Sequence, residues 1–204
     1  MEFAEVVRRR RMIRTYRPDQ DIPEVFVTSC LELAVRAPSA GHTQGREFLV
    51  LRDITSRSRF WAATTDDAEP DPWLQRMRTA PVLILCLADK EAYLDRYAQP
   101  DKGWTDRDER RWPVPYWDVD TGMAALVILL AAQDLGLGAC FFGVPSDRWD
   151  RLRADFGIPA RLRPVGVVSL GYPAPDRRSP SLRRGRRPLR EVVHRERYGE
   201  PGLS

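Results

Sequence analysis

Apolar residues recur every three or four positions in several segments of this chain, which is the spacing of a helix with one buried face. Residues 23–37 show it most plainly, and Pro23 suits the first helical turn. Residues 12–18 lack this spacing and end at Pro18, so we expect an extended segment there. The same reasoning predicts helices over residues 2–10, 54–63, 72–79 and 146–156, the last with Ser146 as its cap.

A longer apolar stretch predicts the central helix of the fold, over residues 118–135. Its interior, residues 123–132, is apolar on every side, so we expect it to be buried all round, within the core and also at any subunit interface. Gly136 offers a C-terminal stop. Asp118 and Asp120 could be imagined as an acid/base pair, but carboxylates favour the positive end of a helix, and we interpret both as capping residues.

Short apolar runs between the predicted helices indicate strands. Residues 81–87 are continuously apolar, as expected for a strand that is covered on both faces of a sheet. Because helical and strand segments are mixed along the whole chain, we predict an α+β fold with helices on both sides of a sheet. The other predicted strands are residues 47–51, 138–142 and 165–170, the last within the segment 162–171.

Length and composition are those of an ordinary globular protein. With 204 residues and 43% hydrophobic content, the chain should form one domain over residues 1–204. Its start does not resemble a signal peptide, and its longest apolar run is too short to cross a bilayer, so we expect a soluble cytoplasmic protein without a membrane partner. Cys30, Cys86 and Cys140 lie in apolar segments without a Cys-x-x-Cys pair, which predicts buried reduced thiols.

Several familiar catalytic motifs are missing from the sequence. It has neither the Gly-x-Ser-x-Gly elbow of serine hydrolases nor the phosphate-binding loop of NTPases. His42 and His194 are the only histidines and are too isolated for a histidine-based metal centre, so we expect no metal. Gly136-Leu137-Gly138 follows a helix and precedes a strand, which reverses the order that a dinucleotide-binding fingerprint needs.

Positive charge is concentrated near the two ends of the chain. The net charge of +4 includes arginine clusters at residues 8–11 and 183–187. Because a guanidinium group presents a planar fork of donors that suits phosphate, two such clusters could converge on an anionic ligand. The alternatives are two solvated charged faces or a nucleic-acid-binding surface, which would give strongly salt-dependent binding.

The turn at residues 37–44 is the most informative local feature. Its sequence, Ala-Pro-Ser-Ala-Gly-His-Thr-Gln, combines small residues and a proline with side chains that can form hydrogen bonds. Backbone in such a turn can approach a flat ligand closely. We therefore expect a planar molecule to be held there.

Five segments in the same order resemble the FMN-dependent nitroreductase family. Each match is weak alone, but their order and spacing span nearly the whole chain. They are residues 10–16 (Arg-Arg-Met-Ile-Arg-Thr-Tyr), the turn 37–44, residues 131–140 at the end of the central helix, residues 170–173 (Leu-Gly-Tyr-Pro) and residues 186–193 (Arg-Arg-Pro-Leu-Arg-Glu-Val-Val).

The resemblance implies a nitroreductase-like fold, with a central mixed, mostly antiparallel sheet and an intertwined homodimer that holds two FMN sites between its subunits. It places Arg10 and Arg187 near the phosphate, with Arg184 or Arg186 assisting, and Arg14 near the polar edge of the flavin ring. The turn would come from the partner subunit, and the backbone of residues 141–143 would lie beside the flavin N5 atom. The implied cofactor-binding residues are Arg10, Arg11, Met12, Arg14, Pro38, Ser39, Ala40, Gly41, His42, Gln44, Phe141, Phe142, Gly143, Arg184, Arg186 and Arg187.

The implied activity is a ping-pong hydride transfer. NADH or NADPH would deliver hydride to the flavin, and an electron-poor acceptor such as a nitroaromatic or quinone would then take the electrons. No side chain need serve as a nucleophile or obligatory acid, so no catalytic residue is assigned. Specialised flavoproteins that use F420, destroy flavin or dehydrogenate a natural product share these motifs and stay open as alternatives, as do a flavin-sequestering protein and a non-enzymatic nucleic-acid-binding protein.

Some positions depart from the family pattern. Met12 stands where many relatives have serine, which removes one side-chain contact to phosphate, and His42 replaces a common asparagine. Gly45-Arg46 replaces a Pro-Trp pair. Residues 91–117 are the least family-like, and their aromatic and polar mixture predicts either a substrate lid, with residues 112–117 nearest the substrate, or an irregular surface.

Overall fold

A four-stranded sheet forms the centre of the protein. The computed structural model describes residues 1–66, 71–175 and 179–200. The strands are β1 (Arg46–Leu51), β2 (Val82–Asp89), β3 (Gly138–Phe142) and β4 (Leu162–Gly171), in the order β1-β2-β4-β3. All neighbouring strands pair antiparallel, and a parallel contact is supplied by the isolated bridge between Met12 and Ala139. The α+β class and the mostly antiparallel sheet are therefore confirmed.

Helices cover both faces of this sheet, because β2 is apolar from Val82 to Ala88 and therefore buries side chains on both faces. One face packs against helices α2 (Glu24–Ala34) and α6 (Tyr116–Asp134), which meet the side chains of Ile84 and Cys86. The other face packs against α3 (Ile54–Thr64), α4 (Pro72–Met77) and α7 (Trp149–Phe156), which meet Leu83 and Leu85. Every residue of β2 is buried, as its continuous apolar run predicts. The remaining described helices are α1 (Phe3–Arg9), α5 (Lys90–Ala98) and α8 (Leu189–Val192).

Two local predictions were wrong. Ser146 forms no capping bond, because the segment opens with a 3₁₀ turn, Ser146–Arg148, and α7 begins only at Trp149. The helix α5 was not predicted, since its residues are rich in charge and lack an apolar run.

The central helix α6 is only partly buried within one chain. Most of its length packs on α2 and the sheet, but Leu126 is 49% exposed and Val119 is 41% exposed. The expectation that it is buried all round is therefore wrong for the single chain. A helix that is apolar on every side has no polar face to turn outward, so one apolar stripe remains at the surface.

The three cysteines are buried, as predicted. Burial raises the pKa of the Cys30 thiol to about 11 and that of Cys86 to about 12, because the thiolate would lose its hydration. These thiols act as core packing groups. In the described part of the chain, no helix combines the length and hydropathy of a transmembrane span.

Candidate functional site

The segment after α1 is fixed along the edge of the sheet. The Ile13 amide donates to the carbonyl of Ala139 at 2.9 Å, and the buried Tyr16 hydroxyl lies 2.7 Å from the hydroxyl of Ser169. Gly138 permits this approach, since a Cβ there would lie 2.9 Å from the Ile13 side chain. The arginines on either side of Met12 are thereby held on a rigid support rather than on a free tail.

The two ends of the chain meet at a pocket beside this segment. Its volume is about 340 Å³. Arg10, Arg11 and Arg14 contribute from the N-terminal side and Arg186 from the C-terminal side, and the residues described around the pocket include no carboxylate. The structure therefore brings arginines from both predicted clusters together around one strongly positive cavity. The lining is completed by Met12, Ile13, Pro173, Ala174, Pro175, Ser179, Ser181 and Leu182.

Arg10 carries a donor that the described residues leave unsatisfied. Its Nη1 atom is buried and has no hydrogen-bond partner among them. A buried charged donor without a partner is costly, whereas a bound anion would satisfy it. Arg14 differs, because its Nη1 donates to the carbonyl of Met12 at 3.2 Å.

The other C-terminal arginines lie outside this lining. Arg187 donates from Nη2 to the carbonyl of Glu191 at 2.8 Å, on the following short helix α8. Arg184 ends the 3₁₀ turn Pro180–Arg184. Among the described residues of the C-terminal cluster, Arg186 is thus the arginine that reaches the pocket.

The end of β3 presents backbone rather than side chains. The Phe141 amide donates to the sulfur of Met12 at 3.5 Å, so Met12 contacts this strand. The Phe142 ring stacks on Trp61 with 5.6 Å between ring centroids and 12° between planes. Both aromatic side chains pack inside the protein, whereas a Cβ on Gly143 would meet nothing within 4 Å.

The turn at residues 37–44 is compact and conformationally unusual. It contains the 3₁₀ turn Ala40–His42, and its φ angles are 60° at Gly41, 54° at His42 and 57° at Gln44. The Gln44 amide donates to the hydroxyl of Ser39 at 2.9 Å, and the Gln44 side-chain nitrogen lies 3.2 Å from His42 Nε2. Residues other than glycine rarely adopt such φ values, so the surrounding structure must hold this backbone in place.

The turn and the arginine pocket are separate within one chain. None of the described residues that line the pocket belongs to the turn. Pro38, His42 and Gln44 are exposed, as they would be if they faced a second molecule. The structure therefore does not bring the two halves of the predicted cofactor-binding set together in a single chain.

Asp120 is the residue whose role the sequence interpretation missed. Because α6 begins at Tyr116, Asp120 lies beyond the first turn. Its Oδ2 accepts the Ala40 amide at 2.8 Å and the Tyr93 hydroxyl at 2.7 Å. The capping interpretation is wrong for both carboxylates, because the N-cap position is Pro115 and no side chain forms a capping bond. Asp118 lies in the first turn, near the positive helix end, and forms an ion pair with Arg163. A carboxylate beside an otherwise apolar run was the signal in the sequence.

Residues 91–117 pack their aromatic rings against one another. Trp112 lies at the centre, with its ring centroid 4.6 Å from that of Tyr97 and 5.9 Å from that of Trp117. Arg96, on α5, donates from Nε to the carbonyl of Gly41 at 2.9 Å. In the segment predicted to lie nearest the substrate, Tyr116 is exposed.

Comparisons with known proteins identify the family. A model of the Nitroreductase family matches residues 7–172. A provisionally named NADH dehydrogenase/NAD(P)H nitroreductase of Methanothermobacter thermautotrophicus is 31% identical over 177 residues, which cover 85% of this chain and 78% of that protein. An NADH dehydrogenase of Thermus thermophilus is 31% identical over 186 residues, covering 81% and 84% respectively.

A solved structure supports the same conclusion. The crystal structure of a provisionally named nitroreductase from Desulfovibrio desulfuricans, in complex with FMN, matches with a TM-score of 0.72 and 29% identity, covering 97% of this chain and 98% of that one. The fold is therefore nitroreductase-like, and this chain belongs to the nitroreductase family.

Proposed function

We propose that this protein is an FMN-dependent oxidoreductase that takes hydride from NADH or NADPH and reduces an electron-poor acceptor such as a nitroaromatic or a quinone. The observation that carries the proposal is the arginine pocket, in which the buried Nη1 of Arg10 has no partner among the described residues. The likeness to an FMN-bound nitroreductase supports the same ligand.

The residues of the pocket fit the phosphate end of FMN. A phosphomonoester carries nearly two negative charges and needs fixed cations, for which forked guanidinium groups are well suited. Arg10, Arg11 and Arg186 are the arginines that we assign to the phosphate, and Arg14 is assigned to the polar edge of the ring. A volume of about 340 Å³ lies within the range of small-molecule sites, roughly 300–1,000 Å³.

The second half of the site would come from another copy of the chain. The exposed stripe of α6, with Leu126 and Val119, is an apolar surface of the kind that subunits bury against each other. We infer a homodimer in which the turn at residues 38–44 of one subunit completes the pocket of the other. Each dimer would then hold two equivalent sites.

The protein's contribution to the reaction is binding and orientation. When bound, FMN supplies hydride acceptance and donation at its N5 atom. The arginine pocket holds the phosphate and so fixes the position of the ring. We assign residues 141–143 at the end of β3 to the N5 edge, with the backbone amides of Phe142 and Gly143 as the donors, because the Phe141 amide already donates to the sulfur of Met12. No side chain is assigned a covalent step.

Anaerobic reduction tests this function. The purified protein should be yellow, NADH or NADPH should bleach it in the absence of oxygen, and a nitroaromatic or quinone should restore the colour. A yellow protein that neither nucleotide bleaches would indicate flavin sequestration or an F420-linked enzyme. A colourless protein whose binding to nucleic acid weakens steeply with salt would contradict the proposal.

A further inference from the structure

The conformation of the turn at residues 38–44 needs support from elsewhere in the protein. Gly41, His42 and Gln44 all have positive φ values, and only glycine adopts them without cost. His42 and Gln44 both adopt this backbone conformation within one short turn, which stores strain. Contacts outside the turn must offset that strain. The question is which residues supply those contacts.

We propose that Asp120, together with Tyr93, is a positioning residue that holds the turn in the conformation that contacts FMN. This inference rests on the proposed function, since it assigns these residues a role in building that site. Neither side chain touches the arginine pocket. Asp120 acts through the backbone of Ala40, and Tyr93 acts through Asp120.

The hydrogen-bond geometry links the turn to the central helix α6. One carboxylate oxygen, Oδ2 of Asp120, accepts both the Ala40 amide at 2.8 Å and the Tyr93 hydroxyl at 2.7 Å. Asp120 is only 1% exposed and Tyr93 is fully buried. Hydrogen bonds to an ionised group are stronger than neutral ones, and exclusion of water strengthens them further.

Further contacts show that the turn is held at several points. On its N-terminal side, Arg46 Nη2 donates to the carbonyl of Ala37 at 2.8 Å. In its middle, Arg96 Nε donates to the carbonyl of Gly41 at 2.9 Å. The Tyr97 ring lies so close to Gly41 that a Cβ there would come within 2.8 Å of it. Asp120 accepts the Ala40 amide, while Arg96 and Tyr97 of α5 support the neighbouring Gly41.

These hydrogen bonds also limit the interactions that the backbone of Ala40 can form with a ligand. Its amide is already committed to Asp120, and its carbonyl accepts the hydroxyl of Thr43 at 2.6 Å. Ala40 is therefore assigned to van der Waals contact with the flavin rather than to donation of a hydrogen bond.

Amide hydrogen exchange in the FMN-free protein, combined with FMN titration, tests this role. Asp120→Ala removes both hydrogen bonds and should speed exchange of the Ala40 amide by about tenfold or more, with a similar loss of FMN affinity. Asp120→Asn keeps an acceptor oxygen but loses the negative charge, so both effects should be smaller than those of Asp120→Ala. Asp118→Asn is the matched control, because Asp118 lies on the same helix and pairs with Arg163 instead.

The outcomes separate this inference from the proposed function. A wild-type protein that binds no FMN would refute the proposed function, whereas equal FMN affinity in the wild type and Asp120→Ala would overturn the positioning role. Faster exchange spread evenly over the whole chain, without a selective loss of protection at residues 40–44, would show a merely structural role. That result would also overturn the positioning role. If Asp120→Ala does not fold, Tyr93→Phe replaces it. This variant should raise the exchange rate of the Ala40 amide and the dissociation constant of FMN about threefold each. An unchanged rate and an unchanged dissociation constant would refute the inference.

Discussion

Replacement of Arg10 and Arg186 together by alanine is expected to release FMN on dialysis. Both side chains line the pocket where the two ends of the chain meet, and the buried Nη1 of Arg10 has no partner among the described residues. A hydrogen bond to a charged group contributes about 1.5–3 kcal/mol. Loss of one such interaction from each arginine therefore weakens FMN binding by roughly 100-fold or more.

The measurement is the dissociation constant of FMN, followed by quenching of flavin fluorescence. The matched control is Arg17→Ala with Arg151→Ala, which removes the same charge at two exposed positions outside the pocket lining. The control should bind FMN within about threefold of the wild type at physiological salt, since distant surface charges are screened. Equal losses in both double variants would show that net charge, and not the pocket, holds the cofactor.

The same titration distinguishes Arg186 from Arg187 as the C-terminal phosphate ligand. The family pattern places Arg187 near the phosphate, whereas the structure shows its guanidinium bonded to the Glu191 carbonyl. Arg10→Ala with Arg187→Ala should therefore weaken FMN binding less than Arg10→Ala with Arg186→Ala. The reverse order would reassign the phosphate ligand to Arg187.

Leu126→Glu is expected to convert the proposed dimer into monomers and to abolish FMN binding with it. Leu126 is 49% exposed on α6, most of which packs on α2 and the sheet, and burial of an unpaired carboxylate in a subunit interface is strongly unfavourable. Since we infer that each site is completed by the partner's turn, the loss of the partner should also remove the flavin.

Sedimentation velocity, recorded at the flavin and protein absorbance bands, measures both effects at once. The control is Ile54→Glu, because Ile54 is also exposed, at 67%, but starts α3, whose packing lies on the other face of the sheet. That variant should remain a yellow dimer. A Leu126→Glu protein that stays dimeric and yellow would show that this stripe is not the interface.

Much of the fold could be predicted because the sequence pattern is local. The strand Gly138–Phe142 was predicted with its observed bounds, since a short apolar run that begins at a glycine has few other interpretations. The last strand was predicted at residues 165–170 and is longer in the structure, at Leu162–Gly171. β2 was recognisable from its unbroken apolar run, because a strand in the middle of the sheet is covered on both faces.

The features that were not predicted from the sequence depend on contacts between segments that are far apart along the chain. Asp120 was interpreted as a helix cap because its neighbours suggested a helix start, and only the folded chain shows that it meets Ala40 and Tyr93. The helix α5 was missed because its support comes from aromatic packing with Trp112 rather than from its own apolar pattern. Likewise, a cluster of arginines in the sequence indicates an anion-binding site, but it cannot show which arginines contact the anion.

The FMN stoichiometry of the assembled protein is the most direct test of a flavin site shared between subunits. Titration of the FMN-free protein, with the mass of the complex measured by light scattering, should show one FMN per chain bound to a dimer. Tight binding of FMN by a monomer, or no binding at all, would contradict a site built from the arginine pocket of one subunit and the turn of the other.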